Sequence, residues 1–214
     1  MSARVAVLAS GSGSNLQALI DDCAQPDAPA RIALVISNRR EAFALERARL
    51  AAIPAQHLPR SRQESRQDYD ARLVEALQAQ QIDWVCLAGW MLLVTPVFLR
   101  AFPSRVLNVH PALLPSFPGL DGAAQALAHG ARVTGATVHL VDEGCDTGPI
   151  LCQGAVPVLP DDDLARLQAR IHRVEHRLYP RALRLVLQGQ PRVQGRVVYF
   201  DGQPQARTYE WFEG

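Results

Sequence analysis

The stretch that decides the fold covers residues 5–20 and reads VAVLASGSGSNLQALI. Its first part, residues 5–9, is a short apolar run of the kind that forms a buried strand. Leu16 and Leu19 follow at helical spacing, and the glycine- and serine-rich residues 10–15 lie between the two elements. A strand that leads through such a turn into a helix predicts the opening of an α/β fold.

The same alternation continues through the first half of the chain. Apolar runs predict strands at residues 32–36, 82–88 and 106–109, and helical spacing predicts a helix at residues 43–50. Strands that alternate with helices are joined by right-handed crossovers, which align the strands in parallel. The sequence therefore predicts a mostly parallel, twisted sheet with helices on both faces.

A third helix is predicted to begin at residues 61–64, which read SRQE and match a capping box. In that motif the serine and glutamate side chains each bond the other residue's backbone N–H. Tyr69, Leu73 and Leu77 then supply an apolar stripe along the helix.

The pattern changes after residue 110. Residues 110–122 contain three prolines and two glycines, and predict an ordered loop. Residues 134–141 and 149–158 predict two strands with too little chain between them for a parallel crossover, so the pair should be antiparallel.

A long helix is predicted after the acidic residues 161–163, which suit the positive end of its dipole. Its buried face is predicted at Leu164, Leu167, Ile171, Val174 and Leu178. The tail predicts a short hairpin around Asp201-Gly202. With no repeat or linker, we expect one domain over residues 1–214, with lobes of about 1–100 and 101–214.

The composition is that of an ordinary globular protein. Of 214 residues, 48% are apolar, and 22 basic against 21 acidic residues give a formal charge of +1. Nothing in that balance calls for nucleic acid or an anionic membrane as a partner. The four cysteines show no zinc-ligand spacing, the first residues do not predict a signal peptide, and no apolar run reaches about 18 residues. We expect a soluble, cytoplasmic protein without a metal.

The glycine-rich residues 10–15 predict a phosphate site, because glycines permit close backbone approach and a helix N-terminus presents unpaired N–H groups. A dinucleotide site is the main rival, yet the third glycine of its motif is replaced by Leu16. Arg39 and Arg40 could suit a 2′-phosphate, so an NADP enzyme stays open, as does a tight turn that binds nothing. The lysine of a nucleotide-binding P-loop is absent.

A second candidate site follows from Asn108 and His110. Residues two apart in a strand share a face, so both side chains should project together where Pro111 ends the strand. The carboxyl ends of parallel strands are where α/β proteins bind ligands. Asp146 lies between glycines that permit a sharp loop, and His139 is a plausible further member, although either could be purely structural.

Taken together, the motifs resemble the phosphoribosylglycinamide formyltransferase family of folate-dependent enzymes, nearly from end to end. The landmarks are GSGSNLQA at 11–18, SN at 37–38, SRQDYD at 65–70, LAGWM at 87–91, NVHPALLPSFPG at 108–119, TGATVH at 134–139, DTGPI at 146–150, EH at 175–176 and YP at 179–180. The resemblance implies a Rossmann-like formyltransferase fold with an N-terminal phosphate-binding lobe and a C-terminal folate and catalytic lobe.

The resemblance also implies an activity and roles for particular residues. The formyl group of 10-formyltetrahydrofolate would pass to the amine of glycinamide ribonucleotide, without a metal. The implied catalytic residues are Asn108, His110 and Asp146. The implied substrate-binding residues are Gly13, Ser14, Asn15 and Glu175. The implied folate-binding residues are Arg66, Met91, Leu92, Leu93, Val94 and Asn108.

One residue departs from the family pattern, and several related activities remain alternatives. Leu92 stands where the family often has a basic residue, so only backbone contacts to folate are expected there. Formyltetrahydrofolate hydrolase, methionyl-tRNA formyltransferase and a non-catalytic phosphate-binding module are the rivals. The first two usually carry an additional domain, and the third leaves Asn108, His110 and Asp146 unexplained. We expect a monomer or homodimer that binds two small molecules.

Overall fold

The computed structural model describes residues 2–189, 191–200 and 209–212. The chain divides into two compact units, Met1–Asn108 and Val109–Gly214. The boundary falls inside a strand, directly after Asn108, whereas the sequence predicted it near residue 100. Each unit is described in turn.

The first unit alternates strands and helices. Its elements are β1 (Ala3–Leu8), α1 (Ser14–Cys23), β2 (Ala30–Ser37), α2 (Phe43–Leu50), β3 (Ala55–His57), α3 (Arg66–Ala79), β4 (Trp84–Leu87), α4 (Pro96–Ala101) and β5 (Val106–His110), the last of which continues into the second unit. The strands lie in the order β3-β2-β1-β4-β5, and every pairing among them is parallel. The predicted parallel α/β arrangement is confirmed.

The second unit contains the antiparallel pair that the sequence predicted. Its elements are α5 (Gly122–Ala128), β6 (Val133–Leu140), β7 (Ile150–Pro157), α6 (Leu164–Gly189), β8 (Pro191–Gln194), β9 (Val197–Phe200) and β10 (Tyr209–Trp211). β6 and β7 are antiparallel, as are β8 and β9, while β9 and β10 each run parallel to β7.

Each unit is organised around a fully buried element. In the first unit, β1 lies between β2 and β4, and residues 5–8 have no exposed surface. Its unbroken apolar sequence follows from burial on both faces. In the second unit, α6 packs on β6 and β7. Its stripe of Leu167, Ile171, Val174 and Leu178 is buried as predicted, but Leu164 is 41% exposed.

The predicted start of the third helix is wrong by one turn. The helix α3 begins at Arg66, and its N-cap is Ser65, whose Oγ accepts from the N–H of Asp68 at 3.1 Å. The SRQE segment forms a turn before the helix, where the N–H of Ser61 donates to the carboxylate of Glu64 at 3.1 Å. Residues 65–68 carry a second capping pattern, and this later one lies directly before the apolar stripe.

Three short elements escaped the sequence analysis. β3 has only exposed residues, and α4 and α5 have six and seven residues, too few for a clear periodicity. Residues 110–122 form a loop as expected, except that α5 begins at Gly122. The tail does form a hairpin, but its turn lies at Gly195, between β8 and β9. The predicted turn residues Asp201-Gly202 lie outside the described residues.

The four cysteines differ in burial. Cys86 and Cys152 are buried, Cys23 is half-buried and Cys145 is exposed, and all four are free thiols. Burial raises the pKa of Cys152 to about 12. Within the described ranges, no helix has both the length and the apolar character needed to cross a bilayer.

The position of the helix cap can be tested with two serine variants. Ser65→Ala removes the acceptor for the N–H of Asp68, and should lower the free energy of unfolding by about 1 kcal/mol. Ser61→Ala, in the preceding turn, should change it by less than about 0.5 kcal/mol. Urea unfolding curves measure both. If Ser61→Ala lowers the free energy of unfolding more than Ser65→Ala does, the helix begins where the sequence predicted.

Candidate functional site

The glycine loop between β1 and α1 turns its carbonyl groups toward neighbouring elements. Gly11 O accepts from the N–H of Ala44 at 3.2 Å, and Ser12 O accepts from Arg47 Nε at 2.9 Å. Gly13 O accepts from the N–H of Gln17 inside α1 at 2.9 Å. These carbonyl groups are therefore occupied by donors of the protein. The N–H groups at the N-terminus of α1 carry partial positive charge, which suits an anion.

Gly13 is required at its position for two reasons. It is the N-cap of α1 and has φ +70°, in the left-handed region. A Cβ atom there would lie 2.8 Å from the Cα of Ala44, which is fully buried in α2. Backbone cannot move aside as a flexible side chain can, so this close approach of the loop to α2 permits only glycine.

Ser10 joins this loop to the segment that carries the candidate folate residues. Its buried hydroxyl donates to Asn38 Oδ1 at 2.7 Å and accepts from the N–H of Met91 at 3.1 Å. Its own N–H donates to Gly89 O at 3.0 Å. Farther along, the N–H of Thr95 donates to the buried carboxylate of Asp70 on α3. The segment is therefore fixed at both ends.

Within that segment, exposure differs from residue to residue. Met91 is 53% exposed and Leu93 50% exposed, whereas Val94 is buried and Leu92 is half-buried. Arg66 is exposed at the first position of α3. All six candidate folate residues, Asn108 included, lie in the first unit, although the family resemblance implied a C-terminal folate lobe.

β5 carries the predicted polar pair. Asn108 is half-buried and His110 is 3% exposed, while Leu107 before the pair and Val109 between its members are buried apolar residues. The alternation expected of a strand is therefore present. Asn108 pairs with Leu87 of β4 in the parallel register.

Asp146 is shared by two histidines. Its Oδ2 lies 3.3 Å from His110 Nδ1, and its Oδ1 lies 3.5 Å from His139 Nε2. The N–H of Gly119 donates to the same Oδ2 at 2.8 Å. Asp146 has φ +55°, an unfavourable backbone conformation for a non-glycine residue, of the kind found at functional sites. The structure thus brings His110, His139 and Asp146 together.

The other nitrogen of each histidine faces a carbonyl group. His110 Nε2 lies 2.8 Å from Phe117 O, and His139 Nδ1 lies 2.8 Å from Leu140 O. A carbonyl oxygen can only accept, so both of these nitrogens carry a proton. The remaining nitrogen of each ring faces Asp146, which as a carboxylate also accepts. An imidazolium at either ring would therefore make a charge-assisted hydrogen bond to this carboxylate.

Asp146 is held as a carboxylate. Burial acts to raise its pKa, but the hydrogen bond from His139, the N–H of Gly119 and the charges of the two histidines outweigh burial and lower the pKa from 3.8 to about 2. Near neutral pH the group is a fixed negative charge that stabilises an imidazolium. The neighbouring Cys145 has a raised pKa, from burial and from the charge of Asp146, and stays a thiol.

The remaining predicted residues lie as follows. Ser14 and Asn15 open α1, with Asn15 buried, and Glu175 is buried in the middle of α6. The sequence analysis missed the backbone contributions of Phe117 and Gly119, because no residue-type pattern marks a carbonyl or N–H as part of a site. Among the described residues, no group of three or more His, Cys, Asp or Glu side chains is arranged to hold a metal.

Chemically, the cluster around Asp146 can donate a hydrogen bond to a developing oxyanion and can take up or release a proton. Such groups act in acyl transfer, where a carbonyl carbon becomes tetrahedral. The glycine loop can bind an anionic group of a substrate by backbone N–H groups alone.

Comparison with known proteins identifies the family of the chain. A family model described as formyl transferase matches residues 3–183. Phosphoribosylglycinamide formyltransferase of Haemophilus influenzae is 38% identical over 200 residues, which is 94% of each chain. The trifunctional purine biosynthetic protein adenosine-3 of Drosophila melanogaster is 49% identical over 189 residues, or 87% of this chain. The chain spans only 14% of the length of that larger relative.

Solved structures agree over the same length. Glycinamide ribonucleotide transformylase 1 of Symbiobacterium toebii superposes with a TM-score of 0.91 at 50% identity, covering 94% of both chains. Phosphoribosylglycinamide formyltransferase of Anaplasma phagocytophilum also gives a TM-score of 0.91, at 34% identity, and covers both chains fully.

The requirement for glycine at position 13 can be tested against its neighbour. Gly13→Ala should lower the free energy of unfolding by at least about 1 kcal/mol, because an alanine strains the left-handed backbone and meets Ala44. Gly11→Ala is the matched control, since a Cβ at Gly11 meets nothing within 4 Å. Thermal and urea unfolding measure both variants, and equal losses would contradict the packing explanation.

The charge of Asp146 predicts a pH-dependent contribution to stability. Its pKa is lower in the folded protein than in the unfolded chain, so the unfolded chain binds more protons in acid. The contribution is present above about pH 4 and is lost as the pH falls toward about 2. The stability advantage of wild type over Asp146→Asn should therefore shrink over that range, by up to about 2 kcal/mol before solvent screening reduces it.

Unfolding of both proteins in urea at a series of pH values measures this difference. An advantage that stays constant from about pH 5 to about pH 2 would show that Asp146 is not held as a carboxylate by its partners.

Proposed function

The chain belongs to the formyl transferase family, and we propose that it transfers the formyl group of 10-formyltetrahydrofolate to the amine of glycinamide ribonucleotide. The products are formylglycinamide ribonucleotide and tetrahydrofolate, in purine biosynthesis. Support comes from relatives named for this activity that match over 94% of their own length and from structures that match equally well. The other activities of the trifunctional relatives are not part of the proposal, since the chain spans 14% of the Drosophila protein.

The observation that carries the proposal is the carboxylate of Asp146 between His110 and His139. In formyl transfer the amine attacks the formyl carbon, and the carbonyl oxygen gains negative charge. Protonated His110 donates a hydrogen bond to that oxygen, and Asp146 stabilises the imidazolium. Asn108, two residues earlier on β5, supplies a second donor from its amide group. Removal of one such donor typically costs about 2.7–4 kcal/mol of barrier.

A proton must also move from the attacking amine to N10 of the folate as the tetrahedral intermediate collapses. Asp146 accepts hydrogen bonds on both oxygens and can orient a water molecule for this transfer. Positioned acid–base groups of this kind usually contribute about 10²–10⁴-fold. In this proposal the chain uses no metal.

The binding roles follow the family resemblance residue by residue. Gly13, Ser14 and Asn15, at the N-terminus of α1, bind the substrate phosphate through backbone N–H groups. Glu175 on α6 contacts the glycinamide end of the substrate.

Folate is assigned to residues of the first unit. Arg66 and Met91–Val94 contact it, together with Asn108, and Leu92 contributes backbone groups only. The exposed side chains of Met91 and Leu93 are available for contact with an aromatic ring system.

The proposal also covers the compartment, the oligomeric state and the binding partners of the chain. The chain works in the cytoplasm on two small, charged metabolites, as a monomer or a homodimer, and binds no nucleic acid or membrane. The two units act as lobes of one formyltransferase domain, the first binding phosphate and the second carrying His110 and Asp146.

The decisive assay supplies glycinamide ribonucleotide and 10-formyltetrahydrofolate together, then follows both tetrahydrofolate and the formylated product. We expect equal amounts of the two products. Asn108→Ala and Asp146→Ala should each lower turnover by about 100-fold or more while the protein stays folded, because each removes a group that acts in the transition state.

Asp161→Ala is the matched control, since Asp161 is an exposed carboxylate on the loop before α6. Its turnover should equal that of wild type. Folate deformylation without formylated product would identify a hydrolase instead. Near-normal turnover in either site variant would remove that residue from the mechanism.

A further inference from the structure

The loop that follows β5 is held by a fully buried hydroxyl group on β6. Thr137 Oγ1 donates to Ala112 O at 2.7 Å and accepts from the N–H of Leu114 at 3.0 Å. Gln153 Nε2, on β7, donates to the same hydroxyl at 3.0 Å and to Leu114 O at 2.8 Å. One hydroxyl offers one donor and two acceptor positions, so Thr137 is fully used.

The held residues begin the loop whose far end bonds the reactive groups. Five residues after Ala112, Phe117 O accepts from His110 Nε2 at 2.8 Å. Two residues farther on, the N–H of Gly119 donates to Asp146 Oδ2 at 2.8 Å. The position of the loop therefore determines a hydrogen bond to each of the two side chains that the proposed mechanism uses.

Phe117 O also competes with the substrate. The N–H at His110 Nε2 is bonded to this carbonyl, while Nδ1 faces Asp146. For His110 to donate to the oxyanion from Nε2, it must exchange the carbonyl for the substrate oxygen. How readily it does so depends on where the loop holds Phe117 O, since a hydrogen bond weakens steeply with distance and angle.

We propose that Thr137 and Gln153 are positioning residues for formyl transfer: through the residues from Ala112 to Gly119 they place Phe117 O and the N–H of Gly119 against His110 and Asp146. This inference rests on the proposed function, because it is in formyl transfer that His110 exchanges the carbonyl of Phe117 for the substrate oxygen. Thr137 and Gln153 act only through the loop, so their effect is on the geometry of the groups that react.

β6 offers a matched control for the key variant. Thr137→Val removes the hydroxyl and keeps the branched shape. Thr134, three residues earlier, is 1% exposed, and its Oγ1 is buried without a hydrogen-bond partner among the described residues. Thr134→Val therefore makes the same substitution at equal burial without breaking a hydrogen bond. Thr137→Ser restores the hydroxyl.

In steady-state kinetics, Thr137→Val should lower kcat at least about tenfold, because small misplacements of reacting groups are costly. The KM for glycinamide ribonucleotide should stay within about twofold, because the glycine loop proposed to hold its phosphate is unchanged. Thr134→Val should match wild type, and Thr137→Ser should recover most of kcat. Equal kcat in Thr137→Val and wild type would overturn the proposal, as would an equal loss in Thr134→Val.

A second measurement does not depend on activity. Imidazole ¹H–¹⁵N NMR spectra of the free protein should show the Nε2–H signal of His110 moved, or lost to exchange with water, in Thr137→Val but not in Thr134→Val. An unmoved signal would show that the loop does not need this hydroxyl. If wild type transfers no formyl group, the proposed function fails, and the NMR comparison still decides whether Thr137 positions the loop.

Gln153→Ala provides the same test should Thr137→Val fail to fold. Gln153 is half-buried, and its loss removes the bonds to Thr137 Oγ1 and Leu114 O. We expect a lower kcat and the same displacement of the His110 signal. A folded Gln153→Ala variant with wild-type kcat and an unmoved signal would exclude Gln153 from this role.

Discussion

The carboxylate of Asp146 is the interaction on which the second unit's chemistry depends. It accepts from Gly119 and faces two histidines, so it joins the end of β5, the strand β6 and the loop after β5 at one charge. Burial of a carboxylate is costly unless it is compensated by hydrogen bonds and positive charge. Its three partners supply that compensation, and its lowered pKa is the result. The same arrangement that stabilises the charge also places the two imidazole rings against it.

In the proposed function the two units bind charge by different means. In the first unit the glycine loop would use backbone N–H groups, and its carbonyls are bonded to α1 and α2, including one bond to Arg47. Such a site depends on backbone conformation, which is why Gly13 is required. In the second unit the charges belong to side chains, and a strained residue, Asp146 at φ +55°, aims the carboxylate. Backbone sites suit binding of a constant charge, whereas titratable side chains suit a charge that develops during the reaction.

Support for the site extends beyond the residues that react. Thr137 and His139 lie two apart on β6, so one strand face bonds the loop through Thr137 and Asp146 through His139. The pairing of β6 with β7 shifts register between Val138 and His139, and bulges of this kind commonly re-aim side chains beside active sites. In the proposed mechanism, His110 and Asp146 therefore act on a frame set by β6 and β7.

The sequence alone determined what repeats locally: the alternation of strands and helices, the glycine turn, and the shared face of Asn108 and His110. Hydrophobic period and strand alternation are properties of neighbouring residues, so they can be read along the chain. The sequence-based start of α3 was wrong because two capping patterns follow each other directly, at residues 61–64 and 65–68. Only the tertiary structure decided that His110, His139 and Asp146 meet, and that Thr137 holds residues 112 and 114. Those contacts depend on how loops close between distant positions, and no local pattern encodes the path of a loop.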